Sequence, residues 1–135
     1  MAKPQRVTYF KISLEDKVGS LLGIAQDLKS KKIGLIGLGG QEMQGGQAEL
    51  YLIAKNPEKL RIAWKSSGMN FEEGTGFFLK GADRTGVLVA TLEALAKAGV
   101  NIVMTEAMGV GGNYGFFIRV APADVERTAQ ALRTK

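Results

Sequence analysis

The chain has 135 residues and a formal net charge of +5, and it contains no cysteine and no histidine. Disulfides, thiolate chemistry and the commonest general base and metal ligand are therefore absent. The length fits one mid-sized domain or two small ones, and we find no membrane-length apolar run and no signal peptide, so we expect a cytoplasmic, non-catalytic protein that needs no cofactor or metal.

The first half of the chain predicts five elements. Apolar and polar residues alternate from Val7 to Leu14, as in a half-buried strand. Apolar residues then recur at helical spacing from about Ser20 to Lys31. The other three elements are a short strand at Ile33–Leu38, a strand at Gln47–Ala54 after the glycine-rich turn Gln41–Gly46, and a helix that begins at Asn56-Pro57 and ends at Gly68.

The second half of the chain predicts the same order of elements. Met69–Glu73 could form a short closing strand for the first half, and Gly74-Thr75-Gly76 leads into a strand at Phe77–Lys80. A helix with a leucine-rich stripe follows and ends at Gly99. The last elements are a strand at Val100–Ala107, a glycine-rich turn at Val110–Tyr114, a strand at Gly115–Ala121 and a helix at Pro122–Arg133.

The two halves form an internal repeat with a constant offset of 67 residues, which pairs Asp16 with Asp83, Gly19 with Gly86 and Leu21 with Leu88. We therefore predict an α+β fold of two ferredoxin-like βαββαβ units, each an antiparallel sheet with its helices on one face. The first unit spans residues 1–68, with its closing strand at 69–73, and the second spans residues 74–135. No residues remain to close the second sheet, so its edge is exposed, covered by the N-terminal arm or paired with another chain. We favour pairing in a homodimer.

Both loops resemble the ACT domain, a small regulatory module that binds amino acids. The resemblance lies in Asp16-x-x-Gly19-x-Leu21 and Asp83-x-x-Gly86-x-Leu88, each followed by a leucine-striped helix and a strand, and in Ala98-Gly99-Val100-Asn101-Ile102. Two copies imply a free-standing tandem ACT protein. The chain departs from the family at Val18 and Thr85, where many members have proline, and at Gly34, which stands where the second copy has Asn101.

The resemblance implies an amino-acid site in each first loop, against the second strand and at an interface between modules. A helix N-terminus offers N–H groups to a carboxylate, the aspartates could accept from an ammonium, and the loop glycines leave room. The alternatives are that the aspartates only cap their helices or hold the loops as Asx turns, that the glycines only allow close packing, and that Asn101 only bonds the loop backbone. The candidate ligand-binding residues are Asp16, Val18, Gly19, Ser20, Leu21, Asp83, Thr85, Gly86, Val87, Leu88 and Asn101.

Several other functions compete with an amino-acid sensor coupled to a regulated enzyme. The main alternative is a ligand-free regulatory or assembly subunit that binds an enzyme through its sheet edge. Residues 1–67 hold eleven Lys/Arg and six Asp/Glu, which could suit nucleic acid, but we favour a solvated lysine-rich surface. A dinucleotide loop at Gly34–Gly40 is disfavoured because no helix follows. A metal site at Glu72, Glu73 or Glu106 and an RNA-binding face of Phe77, Phe78, Phe116 and Phe117 are also disfavoured.

Overall fold

The computed structural model describes residues 4–82 and 85–133 of the chain. It contains six strands and four α-helices in the predicted order. The elements are β1 (Gln5–Glu15), α1 (Ser20–Ser30), β2 (Leu35–Met43), β3 (Gln47–Ala54), α2 (Pro57–Ser67), β4 (Glu72–Ala82), α3 (Thr85–Lys97), β5 (Ile102–Val110), β6 (Asn113–Val120), a 3-10 turn (Pro122–Asp124) and α4 (Val125–Leu132).

The chain divides into two units, which are Thr8–Gly74 and the segment from Thr75 onward together with the residues up to Val7. In the first unit the strand order is β2-β3-β1, and in the second it is β4-β6-β5, with antiparallel pairing throughout. Each unit contains two helices, α1 and α2 in the first and α3 and α4 in the second. The predicted α+β class of ferredoxin-like units with antiparallel strands is therefore confirmed.

The core of the first unit is built on a cluster of three aromatic rings. Trp64 of α2 is fully buried and meets Phe10 edge-on with 6.0 Å between the ring centroids. Phe71 lies 5.6 Å from Phe10 and 5.7 Å from Trp64. Aromatic pairs at such distances add stability beyond the area that they bury. The rest of this core comprises Ile12, Ile24, Leu28, Ile33, Leu50, Leu52, Ala54 and Leu60.

The core of the second unit uses larger side chains on β6. Tyr114 and Phe116 are both buried and stack with 6.3 Å between their centroids and 22° between their planes. Thr128 of α4 is fully buried, and its hydroxyl donates to the carbonyl of Asp124 at 2.7 Å. Other members of this core are Phe77, Leu79, Leu95, Val100, Ile118, Val120, Ala129 and Leu132.

Glycines that were interpreted as turns lie inside strands. β4 is continuous from Glu72, and Gly76 is one of its residues rather than part of a loop. A Cβ atom on Gly76 would come within 2.6 Å of the Phe117 ring, so only glycine lets the ring lie over the strand there. The expected separate closing strand at 69–73 is therefore replaced by the start of β4 and the coil before it.

The same correction applies to the hairpin of the first unit. β2 extends to Met43, so the expected turn at Gln41–Gly46 shrinks to residues 44–46. A Cβ on Gly39 would lie 2.2 Å from the Tyr51 ring, which explains the glycine within the strand. The glycine-rich segment therefore forms a strand and not a loop that opens a helix, in agreement with our rejection of dinucleotide binding. In the second unit the turn is likewise shorter than expected, at residues 111–112.

The N-terminal end of β1 belongs to the second unit, although we favoured pairing of that unit's open edge with another chain. Residues up to Val7 group with the segment from Thr75 onward. Within this unit Arg6 donates to the carboxylate of Glu126, which lowers the pKa of Glu126. The N-terminal arm, which was one of the two alternatives, therefore supplies residues to the second unit. Pairing in a homodimer stays a prediction.

A bidentate ion pair joins α2 to the start of β4. The guanidinium of Arg61 donates to both carboxylate oxygens of Glu73, at 2.8 and 2.7 Å, and also to Glu58. The hydrogen bonds from Arg61 lower the pKa of Glu73, and the Glu73 bonds raise the pKa of Arg61. A fork-shaped pair of this kind adds direction as well as attraction. It holds the closing segment of the first unit against α2.

We predict that Gly76→Ala destabilises the protein by about 1–3 kcal/mol, because the new Cβ forces the buried Phe117 ring out of its position. Urea unfolding measures the change. Gly23→Ala is the matched control, since a Cβ there meets no atom within 4 Å and alanine favours the helix. The Gly23→Ala variant should have the same free energy of unfolding as the wild type or one that is higher by up to about 1 kcal/mol. Equal effects of the two substitutions would contradict the close approach at Gly76.

We also predict that Glu73→Gln lowers the Tm by about 2–4 °C near neutral pH, because Arg61 loses its bidentate partner. The folded-state pKa of Glu73 lies below its unfolded value of about 4.3, so the stabilisation exists above that value and disappears as pH falls through the folded pKa. Thermal unfolding from about pH 7 to about pH 2 measures this loss. Glu58→Gln should shift the Tm less, because Glu58 is 66% exposed. A Tm difference unchanged in acid would contradict the assignment.

Candidate functional site

The loop between β1 and α1 is held against the turn between β2 and β3. The backbone N–H of Asp16 donates to the carbonyl of Gly46 at 2.8 Å. Gly19 is the N-cap residue of α1 and has a φ of 90°, in the left-handed region that favours glycine. No side chain caps this end of α1. The N–H of Ser20 donates to the carbonyl of Lys17 at 3.3 Å, so an anion could bind only the N–H groups that follow it in the first turn.

A cavity of about 400 Å³ opens beside this loop, within the first unit. Its size falls in the range of small-ligand sites, about 300–1,000 Å³. Apolar side chains from β1, α1, β2 and β3 form one part of the lining, and polar residues of the loop and of the same four elements form the rest. The apolar and small lining residues are Leu14, Leu21, Leu38, Gly39, Gly40, Ala48 and Leu50, and the polar ones are Glu15, Asp16, Lys17, Ser20, Gln41, Glu42 and Glu49.

Carboxylates give the cavity a negative rim. Glu15 pairs with Lys17 at 3.0 Å, which balances one negative charge with one positive charge. Within the part of the chain that the structure describes, the carboxylates of Asp16 and Glu42 have no ion-pair or hydrogen-bond partner. They are therefore free to accept hydrogen bonds from an ammonium group.

The structure brings together three of the predicted residues of the first loop. Asp16, Ser20 and Leu21 all line the cavity, and Gly19 lies between them at the start of α1. Val18 is fully exposed and does not line it. The alternative that Asp16 caps α1 is wrong, because the cap residue is Gly19 and no side chain accepts there.

Sequence reasoning missed the wall that β2 and β3 contribute. Leu38 to Glu42 and Ala48 line the cavity, whereas Gln41 and Glu42 were expected in a turn and Ala48 was not singled out. The signal was present in Gly39-Gly40, since two adjacent glycines in a strand indicate a close approach of other groups. We considered those two glycines only as part of a dinucleotide-like loop, which we disfavoured.

The second loop is described only in part, because Asp83 lies outside the described residues. Thr85 and Gly86 are exposed at the start of α3, and Val87 and Leu88 are half-buried against the core of the second unit.

Asn101 lies at the opposite end of α3 from this loop. It is exposed and immediately precedes β5. The 13 residues of α3 place the two ends of the helix about 20 Å apart. Asn101 therefore does not share a site with Thr85 and Gly86 in the same unit, and its role in binding stays a prediction.

The loop glycines are not required for close packing of a helix on the sheet. A Cβ atom on Gly19 or on Gly86 would meet nothing within 4 Å among the described residues. The positive φ of Gly19 accounts for glycine at that position, whereas Gly86 lies in α3 and no positive φ is found there. The close-packing alternative is therefore wrong for both, and nothing in the structure explains Gly86.

The lysine-rich surface of the first unit gathers where α1 ends and α2 begins. Lys59 of α2 donates to the carbonyl of Lys32 at 2.9 Å, and Lys31 pairs with Asp27 at 2.7 Å. Lys29 belongs to the last turn of α1, where a cation suits the helix dipole. These contacts fit the solvated surface that we favoured. None of the helices in residues 4–82 and 85–133 is long and apolar enough to cross a membrane.

Comparisons with known proteins identify the fold. No protein-family model matches the chain, and no curated protein matches it. The crystal structure of protein BT0572 from Bacteroides thetaiotaomicron matches with a TM-score of 0.82 and 21% identity, over 98% of this chain and 88% of that one.

Two regulatory subunits of aspartate kinase also match. That of Thermus flavus has a TM-score of 0.62 and 14% identity, over 98% of this chain and 94% of its own. That of Thermus thermophilus, in its ligand-free form, has a TM-score of 0.61 and 15% identity, over 95% of this chain and 90% of its own. The ACT-like fold expected from the sequence is thereby confirmed, and these identities speak to the fold alone.

We predict that Gly19→Ala destabilises the protein by about 1–2 kcal/mol, because alanine is strained at a left-handed φ. Gly86→Ala is the matched control at the equivalent position of the repeat. Because Gly86 lies in helix α3, this substitution should leave the free energy of unfolding unchanged or raise it by up to about 1 kcal/mol. Urea unfolding of both variants checks the difference. Similar changes in the two free energies of unfolding would show that the loop geometry assigned to Gly19 is wrong.

Proposed function

We propose that this protein is a non-catalytic tandem ACT protein that binds an amino acid and transmits the binding to a regulated enzyme. The observation that carries the proposal is the cavity where Asp16, Ser20 and Leu21 meet strand β2. The ACT-like loop motif of the sequence points to the same three residues. The likeness to regulatory subunits of aspartate kinase supports a regulatory role and an enzyme partner.

The cavity offers a group for each part of an amino acid. The uncapped N-terminus of α1 suits the carboxylate, with the hydroxyl of Ser20 beside it. The carboxylates of Asp16 and Glu42 suit the ammonium. The apolar lining from Leu14, Leu50 and their neighbours suits an aliphatic or aromatic side chain.

Ligand binding can be transmitted to a partner protein because both can favour the same conformation of the first unit. A ligand that touches both the loop and β2 bridges two segments that the hydrogen bond from Asp16 to Gly46 already joins. Such a ligand favours one arrangement of these segments and so changes the affinity for any partner that binds the same arrangement. We place this regulation in the cytoplasm, with the chain acting as a homodimer.

A second candidate function is a ligand-free assembly subunit that binds an enzyme through a sheet edge. Its support is the row of exposed apolar side chains on the outer strands of both units. On β2 these include Ile36 and Leu38, which are 51% and 46% exposed, and on β5 they include Met108 and Val110, which are 65% and 72% exposed. Apolar groups on a strand edge suit pairing with another chain.

Thermal unfolding against the twenty amino acids, each at millimolar concentration, tests the sensor. An amino acid at a hundred times its Kd should add about 2.7 kcal/mol to the free energy of unfolding and raise the Tm by several degrees. Asp16→Ala should abolish the shift, because the ammonium loses an acceptor. Glu93→Gln, which removes a carboxylate from α3, is the control and should keep the shift.

A panel without any Tm shift would contradict amino-acid binding and favour the assembly subunit. That function predicts an enzyme that copurifies with the chain, and it predicts that Ile36→Lys on the edge of β2 releases the enzyme.

A further inference from the structure

A second cavity adjoins the candidate amino-acid site within the first unit. It has a volume of about 210 Å³ and lies between helix α1 and β2, the outer strand of the order β2-β3-β1. Leu21 of α1 and Leu38 of β2 line both cavities, so these two side chains form a wall that the cavities share. The loop cavity therefore continues into a groove along α1, which we call the α1–β2 groove.

The α1–β2 groove is lined mainly by apolar side chains. Ile24, Leu28 and Ile33 are buried and belong to the core of the first unit, so packing fixes the floor of the groove. Among the described residues that line it, Lys29 alone carries a charge, and it is exposed in the last turn of α1. The groove is thus polar only at the end that lies far from the loop. Its remaining lining residues are Ala25 and Leu35.

The two leucines of the shared wall are only partly covered. Leu21 is 49% exposed and Leu38 is 46% exposed, although leucine is among the residue types that are most often buried. Apolar side chains that line a concave surface are typical of small-ligand sites. An apolar group that lay between these two leucines would remove their exposed surface from water, which is favourable.

The dimensions of the groove match a single long side chain. Ala25 lies four residues after Leu21, which is a rise of about 6 Å along α1. The side chains of methionine and phenylalanine can span this length, whereas those of alanine and serine cannot. An apolar cavity of about 150 Å³ holds a molecule of the size of benzene. The 210 Å³ of the groove therefore suffices for either long side chain.

We infer that the amino acid bound at this site has a long apolar side chain, which runs from the loop cavity between Leu21 and Leu38 into the α1–β2 groove. This inference rests on the proposed function, in which Asp16 and Glu42 hold the ammonium. The same carboxylates repel an acidic side chain, and Lys29 at the far end repels a basic one. A polar side chain would exchange water for an apolar lining, which is costly. The groove thus selects methionine, phenylalanine and similar amino acids over small, polar or charged ones.

Calorimetric titration of the wild type with four amino acids tests this selectivity. Methionine and glutamine have side chains of similar length, so their comparison isolates polarity, and the comparison of methionine with alanine isolates length. Methionine and phenylalanine should each bind at least about tenfold more tightly than glutamine and alanine, because a single methylene in an apolar pocket already changes discrimination by about 10–200-fold.

A variant that fills the groove provides the second test. Ala25 is exposed and lines the groove but not the loop cavity, so Ala25→Phe adds a ring there and keeps the groups that hold the ammonium and the carboxylate. Methionine binding should weaken at least about tenfold. Gln26→Phe is the matched control, because Gln26 is also exposed on α1 and lines neither cavity. This control should bind methionine within about threefold of the wild type.

A thiol at the same position keeps the test decisive if the phenylalanine variant does not fold. The chain has no cysteine, so Ala25→Cys introduces a single thiol. Saturating methionine should slow the alkylation of this thiol by iodoacetamide several-fold, because the bound side chain limits access to it. The alkylation of Gln26→Cys should proceed at the same rate with and without methionine.

The outcomes separate this inference from the proposed function. Alanine or glutamine that binds at least as tightly as methionine, unchanged methionine binding by Ala25→Phe, or a thiol at position 25 that methionine does not protect would overturn the inference while the sensor function stands. A panel in which no amino acid binds overturns the proposed function, and this inference falls with it.

Discussion

The antiparallel register of β1, β3 and β2 is the constraint on which the proposed site depends. Side chains alternate between the two faces of a strand, so a register shift of one residue would move every lining group to the other face. With Leu14 opposite Ala48 and Ala48 opposite Glu42, an apolar group, a small group and a carboxylate share one face below the start of α1. The hydrogen bond from Asp16 to Gly46 then holds the loop over that face.

The site combines groups that are weak individually and useful together. A helix N-terminus attracts an anion, yet the effect falls off within the first turn. Asp16 and Glu42 attract a cation, yet exposed carboxylates contribute little against water. A zwitterion presents both charges at a short separation, so one small ligand can satisfy both ends of the cavity while its side chain covers Leu14 and Leu50.

The two units share one repeated sequence pattern, but their cores are packed differently. The loop pattern, the helix stripe and the strand order are the same in both. The difference lies on the central strand of each unit, where Ala48 and Leu50 correspond to Tyr114 and Phe116. Aromatic side chains on β6 fill the second unit from within, whereas the aromatic cluster of the first unit lies around Trp64.

The sequence by itself determined the order of the elements, the repeat, the helix cap at Asn56 and three residues of the cavity, because periodicity, capping and the repeated loop motif can be read from short stretches of the chain. Only the tertiary structure decided which glycines are strand residues, since Gly39 and Gly76 owe their identity to rings from neighbouring strands. It also decided that residues up to Val7 belong to the second unit and that Ala48 faces the loop. Those facts follow from contacts between distant segments, and local patterns do not record such contacts.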